Sequence, residues 1–119
     1  MTIETHDSDK LKIAEMISDD IVINKSEDGL DLLGDLYYQD FDAIIIHEKN
    51  IIADFFNLKS GMAGEILQKF STYRVRLTIV GDFAQFTSKS LKDFIYESNK
   101  GKQINFVSST TEAISQMKK

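Results

Sequence analysis

The sequence predicts an α/β domain whose sheet is mixed but mostly parallel, and three observations lead there. Ala43-Ile44-Ile45-Ile46 is an unbroken apolar, β-branched-rich run, the composition of a strand covered on both faces. From that run to the end of the chain, strand-like and helix-like segments alternate, which implies right-handed crossovers and parallel neighbours. With 119 residues, 42% of them hydrophobic, six glycines and no proline, the chain has enough apolar material for one core, so residues 1–119 are expected to form a single domain.

Five strands and four helices are expected in order. Thr2 to His6 alternates weakly, passes through the turn-forming residues Asp7-Ser8-Asp9, and returns as Leu11-Lys12-Ile13-Ala14-Glu15-Met16 with period two. This predicts an N-terminal hairpin with one wet face, on which His6 is solvated. Ile21-Val22-Ile23 fits either a short strand or an apolar plug. Asn24 to Asp28 supplies helix caps and first-turn acids for a helix running to about Tyr38, with Leu30, Leu33, Leu36 and Tyr37 on its inner stripe.

After the central strand, the polar exit His47-Glu48-Lys49 and the connection Asp54 to Lys59 lead to a helix from Ser60 to Phe70. Helical spacing puts Met62, Ile66, Leu67 and Phe70 inward. Gly61 and Gly64 cost helix propensity, and with the small Ala63 between them they suggest close approach of another backbone or a bound surface. Val75 to Val80 is the next strand and stops at Gly81-Asp82. Ser88 caps a helix carrying Leu91, Phe94 and Ile95, and Lys100-Gly101 ends it. Ile104 to Val107 is the last strand. Ser109-Thr110-Thr111-Glu112 spells a capping box for a final helix with Ala113, Ile114 and Met117 inward.

Composition narrows the function classes. A formal charge of −5 disfavours nucleic acid, whose phosphates reward a basic face. No run approaches the about 20 apolar residues of a membrane span, and the start Met1 to Asp7 is acidic and polar, unlike a signal peptide. The absence of cysteine removes disulfides, thiol catalysis and thiolate metal sites, and agrees with a reducing compartment. A cytoplasmic protein without membrane or nucleic-acid partners is expected, with no cofactor implied.

In open α/β sheets, ligands meet the protein beyond the carboxyl ends of the strands. That edge is expected to gather His47, Glu48, Ser60, Gly61, Gly81, Asp82, Ser108 and Ser109. Ser60, at a helix N-terminus, suits an ordinary N-cap first, and also an anion or a phosphate. His47 and Glu48 with Asp82 offer an acid/base pair or a weak metal site, or are polar residues finishing strands. No metalloprotease, nucleophile-elbow, phosphate-loop or dinucleotide motif is present. Phe55, Phe56, Phe83 and Phe86 lie in connections, where they form either an exposed patch or a cap on the core. Lys89, Lys92, Lys100 and Lys102 read as a solvated face.

The segment Ser60-Gly61-Met62-Ala63-Gly64-Glu65-Ile66-Leu67-Gln68-Lys69-Phe70, between two strands, resembles the region around the regulatory serine of STAS domains, the anti-sigma-factor antagonists among them. Thr111-Glu112-Ala113-Ile114 resembles the start of their last helix. The resemblance implies a STAS-like fold and a phosphorylatable Ser60, although Leu58 stands where those antagonists usually carry an acidic residue.

A second resemblance covers about half the chain. Asp54 to Gly61, Gly64 to Phe70, Tyr73-Arg74-Val75, Ile79 to Phe83, Thr87 to Leu91 and Asp93 to Asn99 are similar to a bacterial domain-of-unknown-function family, DUF four-one-eight-zero.

Together these readings favour a non-enzymatic binding or regulatory module acting through a protein partner, with Ser60, Gly61, Gly64, Gly81, Asp82 and Phe83 as its working surface. The alternatives are a small enzyme or anion-binding domain using His47, Glu48, Ser60 and Asp82, and a homodimer.

Overall fold

In the computed structural model, which describes residues 1–8 and 10–117, strands β1 (Thr2–Ser8), β2 (Leu11–Ile17), β3 (Ala43–His47), β4 (Arg76–Val80) and β5 (Ile104–Val107) form one sheet in the order β1-β2-β3-β4-β5. β1 runs antiparallel to β2, and the remaining pairs are parallel. The helices are α1 (Ser26–Tyr38), α2 (Met62–Tyr73), α3 (Lys89–Asn99) and α4 (Thr110–Met117). The radius of gyration, 13.2 Å, matches the about 13.5 Å of a compact chain of this length.

The strand order rises without reversal, so the crossover helices α1, α2 and α3 all step in one direction and lie on one face. Under them sits the larger core, with Ala14, Met16, Ile44, Ile46, Leu77 and Ile79 supplied by the strands. α4 closes the other face over a smaller cluster of Ile13, Ala43, Ile45, Val80 and Val107. A sheet that never reverses has no switch-point crevice. The rule that places ligands there therefore does not locate a site in this fold.

Local chemistry explains most element ends. The Asp28 carboxylate accepts from the backbone N–H groups of Asn24 and Lys25 at the start of α1. α1 buries Gly29, Leu32, Leu33 and Leu36, whereas Tyr37 on the predicted stripe is exposed. Gly29 is where α1 meets α2, since a Cβ there would stand 2.8 Å from Ile66 Cδ1. α2 buries all four predicted residues and also Ala63. It begins two residues later than expected, because Gly61 takes φ +81° and breaks the chain direction before Met62. Gly64 is exposed with nothing within 4 Å of a Cβ, so the expected close approach does not occur there.

Ser88 Oγ accepts from the Leu91 N–H at the start of α3, as its spelling predicts. At α4, Ser109 Oγ accepts from the Glu112 N–H, while the Glu112 carboxylate accepts from Ser108, one residue earlier than a capping box requires. Ile23 is a buried plug bridged to Ile51. Asn50, fully buried, donates to the Ser18 and Asp20 carbonyls and fixes the connection leading to that plug. β1 continues to Ser8, so Asp7 and Ser8 pair with Lys12 and Leu11 instead of turning; the third expected turn residue, Asp9, lies outside the described residues.

The phenylalanines turn inward. Phe55 and Phe56 are buried, and Phe83 and Phe86 pack against the core half-buried. The Phe56 and Phe86 rings stack at 4.8 Å, and Phe83 meets Phe106 edge-on at 5.3 Å. Large apolar rings gain more from joining the core than from solvent, so no exposed phenylalanine patch forms.

Candidate functional site

The most unusual chemistry lies under α4. Glu15, buried in β2, accepts three side-chain hydrogen bonds: from His6 Nε2 at 2.8 Å on Oε1, and from His47 Nε2 at 2.7 Å and Thr110 Oγ1 at 3.0 Å on Oε2. His6 and His47 are the only histidines in the chain, and both end on this carboxylate. The knot joins β1, β2, β3 and the first residue of α4.

Strand geometry makes the meeting necessary. Side chains alternate along a strand, so Glu15 shares the face of Ile13, and His47 that of Ile45. The hairpin register sets Glu4 directly opposite Glu15 and His6 opposite Ile13, which brings Glu4 and His6 to the same face.

Burial alone pushes the Glu15 carboxyl up. The hydrogen bonds from His47, His6 and Thr110, with the charge of His47, more than offset it and hold the group below the ordinary glutamate range. With Glu15 ionised, each Nε2 is the donor, and neither Nδ1 has a hydrogen-bond partner among the described residues. Two imidazoles oriented by one carboxylate can serve as proton acceptors or as metal ligands.

The residues predicted for the strand edge are spread over separate sites. His47 turns to Glu15, whereas Glu48 accepts from Gln85 Nε2 at 3.0 Å and Asp82 accepts from the Ala84 N–H at 3.1 Å. No hydrogen bond joins His47, Glu48 and Asp82 to one another among the described residues. Gly81 is required by Glu48, whose Cβ would stand 2.5 Å from a Cβ at position 81. Ser108, Gly81, Asp82 and Phe83 line a shallow cleft of about 430 Å³.

Ser60 is exposed, on the three-helix side of the sheet. Its hydroxyl donates to the Asp54 carbonyl at 2.7 Å and accepts from the Met62 N–H at 3.2 Å. Beside it runs an open groove of about 580 Å³ lined by Phe56, Asn57, Leu58, Lys59, Phe86 and Ser88, among others.

Two features escaped the sequence reading. His6 is half-buried and bonded to Glu15, not solvated, because the hairpin register sets it on the same sheet face as Glu15. The second is a tyrosine patch at the far end of the molecule. Tyr37 and Tyr73 are 45% and 41% exposed with rings 4.9 Å apart, and Tyr38 is 85% exposed with its ring 5.9 Å from Tyr37. With Asp40, Asp42 and Arg74 they surround a cleft of about 340 Å³. Of the three tyrosines, helical spacing assigns a face to Tyr37 alone, and that face is the inner one, whereas Tyr37 is exposed.

A family model described as a domain of unknown function (DUF4180) matches residues 8–117. The chain belongs to this family. Glu15, His47, Thr110 and the tyrosine patch lie within the residues matched to DUF4180, while Glu4 and His6 precede them. No curated protein and no solved structure matches the chain. Among the described residues, no helix is long and apolar enough to cross a membrane.

Proposed function

We propose that this DUF4180 chain is a non-enzymatic binding module that acts through protein–protein contacts in the cytoplasm, a compartment that its cysteine-free sequence suits. The tyrosine patch carries the reading. Tyrosine and arginine are enriched where protein partners dock, because a ring offers apolar area at low entropic cost and its hydroxyl stays wet. Here three tyrosines share one patch, flanked by Arg74 and two aspartates.

Ser60 is the position at which such binding would be switched. A phosphate there adds about −1.5 to −2 charge and displaces the donor hydrogen that now bonds Asp54. This part of the reading draws on the resemblance of Ser60 to Phe70 to STAS domains, as does the finer description of the fold as STAS-like. Ser60 and Tyr73 stand at opposite ends of α2, so the patch and the switch are separable.

The test is affinity purification from source cells with wild type, Tyr38→Ser/Tyr73→Ser, Ser60→Ala and Ser60→Glu, with mass spectrometry of Ser60 itself. The expected result is one protein retained by wild type and Ser60→Ala and lost from the tyrosine variant and Ser60→Glu. Partners unchanged by the tyrosine replacements would remove the patch from the reading. An unmodified Ser60 with partners unchanged in Ser60→Glu would remove the switch.

A further inference from the structure

We propose that Glu4, His6 and Glu15 form a binding site for one divalent transition-metal ion of the Zn²⁺ class, with His47 fixing the far oxygen of Glu15. The inference goes beyond the protein-binding reading and depends on neither the tyrosine patch nor Ser60.

The geometry is set by the hairpin. One ligand atom from each of Glu4, His6 and Glu15 lies within 4.8 Å of the other two. Glu4 and Glu15 are directly opposed across β1 and β2, an arrangement in which like charges weaken a strand pair. Glu15 is moreover buried. A dication between the two carboxylates neutralises both, and a neutral imidazole completes a three-ligand set without further charge.

Donor chemistry selects the ion. Imidazole nitrogen with carboxylate oxygen suits Zn²⁺ and its first-row neighbours, whereas Ca²⁺ and Mg²⁺ favour all-oxygen shells. Tetrahedral bonds of about 2.0–2.2 Å place ligand atoms about 3.3 Å apart. His6 and Glu15, now 2.8 Å apart, need to open by only about half an ångström by that measure, and exposed Glu4 closes the third position. The ion takes the place of the proton between His6 and Glu15; that proton leaves to solvent while the other ring nitrogen takes one up. His47 then acts as an outer partner that orients a ligating carboxylate.

The experiment is calorimetric titration of Zn²⁺ into the untagged, chelator-stripped full chain, with circular dichroism to verify folding. Wild type should bind one ion per chain. His6→Gln and Glu15→Gln should weaken binding by more than about 100-fold, and His47→Gln by about 10–100-fold, the range for outer partners. Glu4→Gln changes an exposed side chain, so its weakened binding would occur in a folded protein and would separate ligand loss from unfolding. Absence of binding by wild type, or equal binding by wild type, Glu4→Gln and His6→Gln, would overturn the site and leave the knot as a hydrogen-bonded feature of the fold.

Discussion

Toward the three crossover helices the strands present Ala14, Met16, Ile44, Ile46, Leu77 and Ile79; toward α4 they present Ile13, Ala43, Ile45 and Val80, but also buried Ser8, Glu15, Thr78 and Asn105. The difference follows from cover. Five strands at about 4.8 Å spacing make a sheet about 19 Å wide, while a helix of eight residues is about 12 Å long. α4 packs mainly on β4 and β5, and its first residue, Thr110, reaches across to Glu15 of β2. The β1–β2 side of that face lacks an apolar roof, and there the burial is polar: a carboxylate with three hydrogen bonds. Apolar burial is concentrated on one face, and the buried carboxylate with its two histidines sits on the thinner one.

The largest effect should come from the thick face. Phe70→Ala empties a fully buried ring site beneath α2 and should cost about 3–5 kcal/mol in urea unfolding. A sharper comparison uses neighbours on β3, Ile44 and Ile45, both fully buried but facing opposite ways. Both alanine variants should fall within about 2–5 kcal/mol, with Ile44→Ala near the top and Ile45→Ala near the bottom, because a single short helix can settle into the space. Equal costs would mean that the two faces are energetically alike.

A smaller effect is expected at the knot. Glu15→Gln should cost about 1–3 kcal/mol at neutral pH, since donors from three directions lose a charged acceptor. The pH dependence has a definite sign. The folded-state value of Glu15 is depressed below the ordinary 4.5, so its contribution is full above that pH and is lost as pH falls through the lower folded value. The stability gap between wild type and Glu15→Gln should therefore narrow in acid. A gap that widened there would contradict the depressed value.

Apolar burial was legible in the sequence on both faces, Ala113 and Met117 of α4 included, and polar burial was not, for a common reason. Ile44 to Ile46, the buried set of α2, the Ser88 cap and the β5 run announce themselves through composition and period, which report apolar burial directly. Glu15 and Lys12 made β2 look like a strand with one wet face. In fact Ile13 to Met16 are all buried, because β2 lies one strand in from the edge. A charge in an alternating strand normally marks solvent, and nothing local distinguishes one that will be buried with partners. Register held the missing signal: pairing Ser8 with Leu11 puts Glu4 opposite Glu15 and His6 beside it. His47 and Glu48 are neighbours in sequence, but β3 ends at His47 and Glu48 starts a 3-10 turn, so the one meets Glu15 and the other Gln85. The tyrosine patch depends on how α1 and α2 end side by side, a tertiary fact without local spelling.

Whether the Glu15 knot serves a site more than the fold is tested most directly by urea unfolding, without added metal, of the triple variant His6→Leu/Glu15→Met/His47→Leu. A stability equal to or above that of wild type is expected, because apolar contacts replace a buried charge together with both of its histidine partners. A loss of more than about 3 kcal/mol would contradict this, and would assign Glu15 and its histidines to holding β1 and α4 on the sheet.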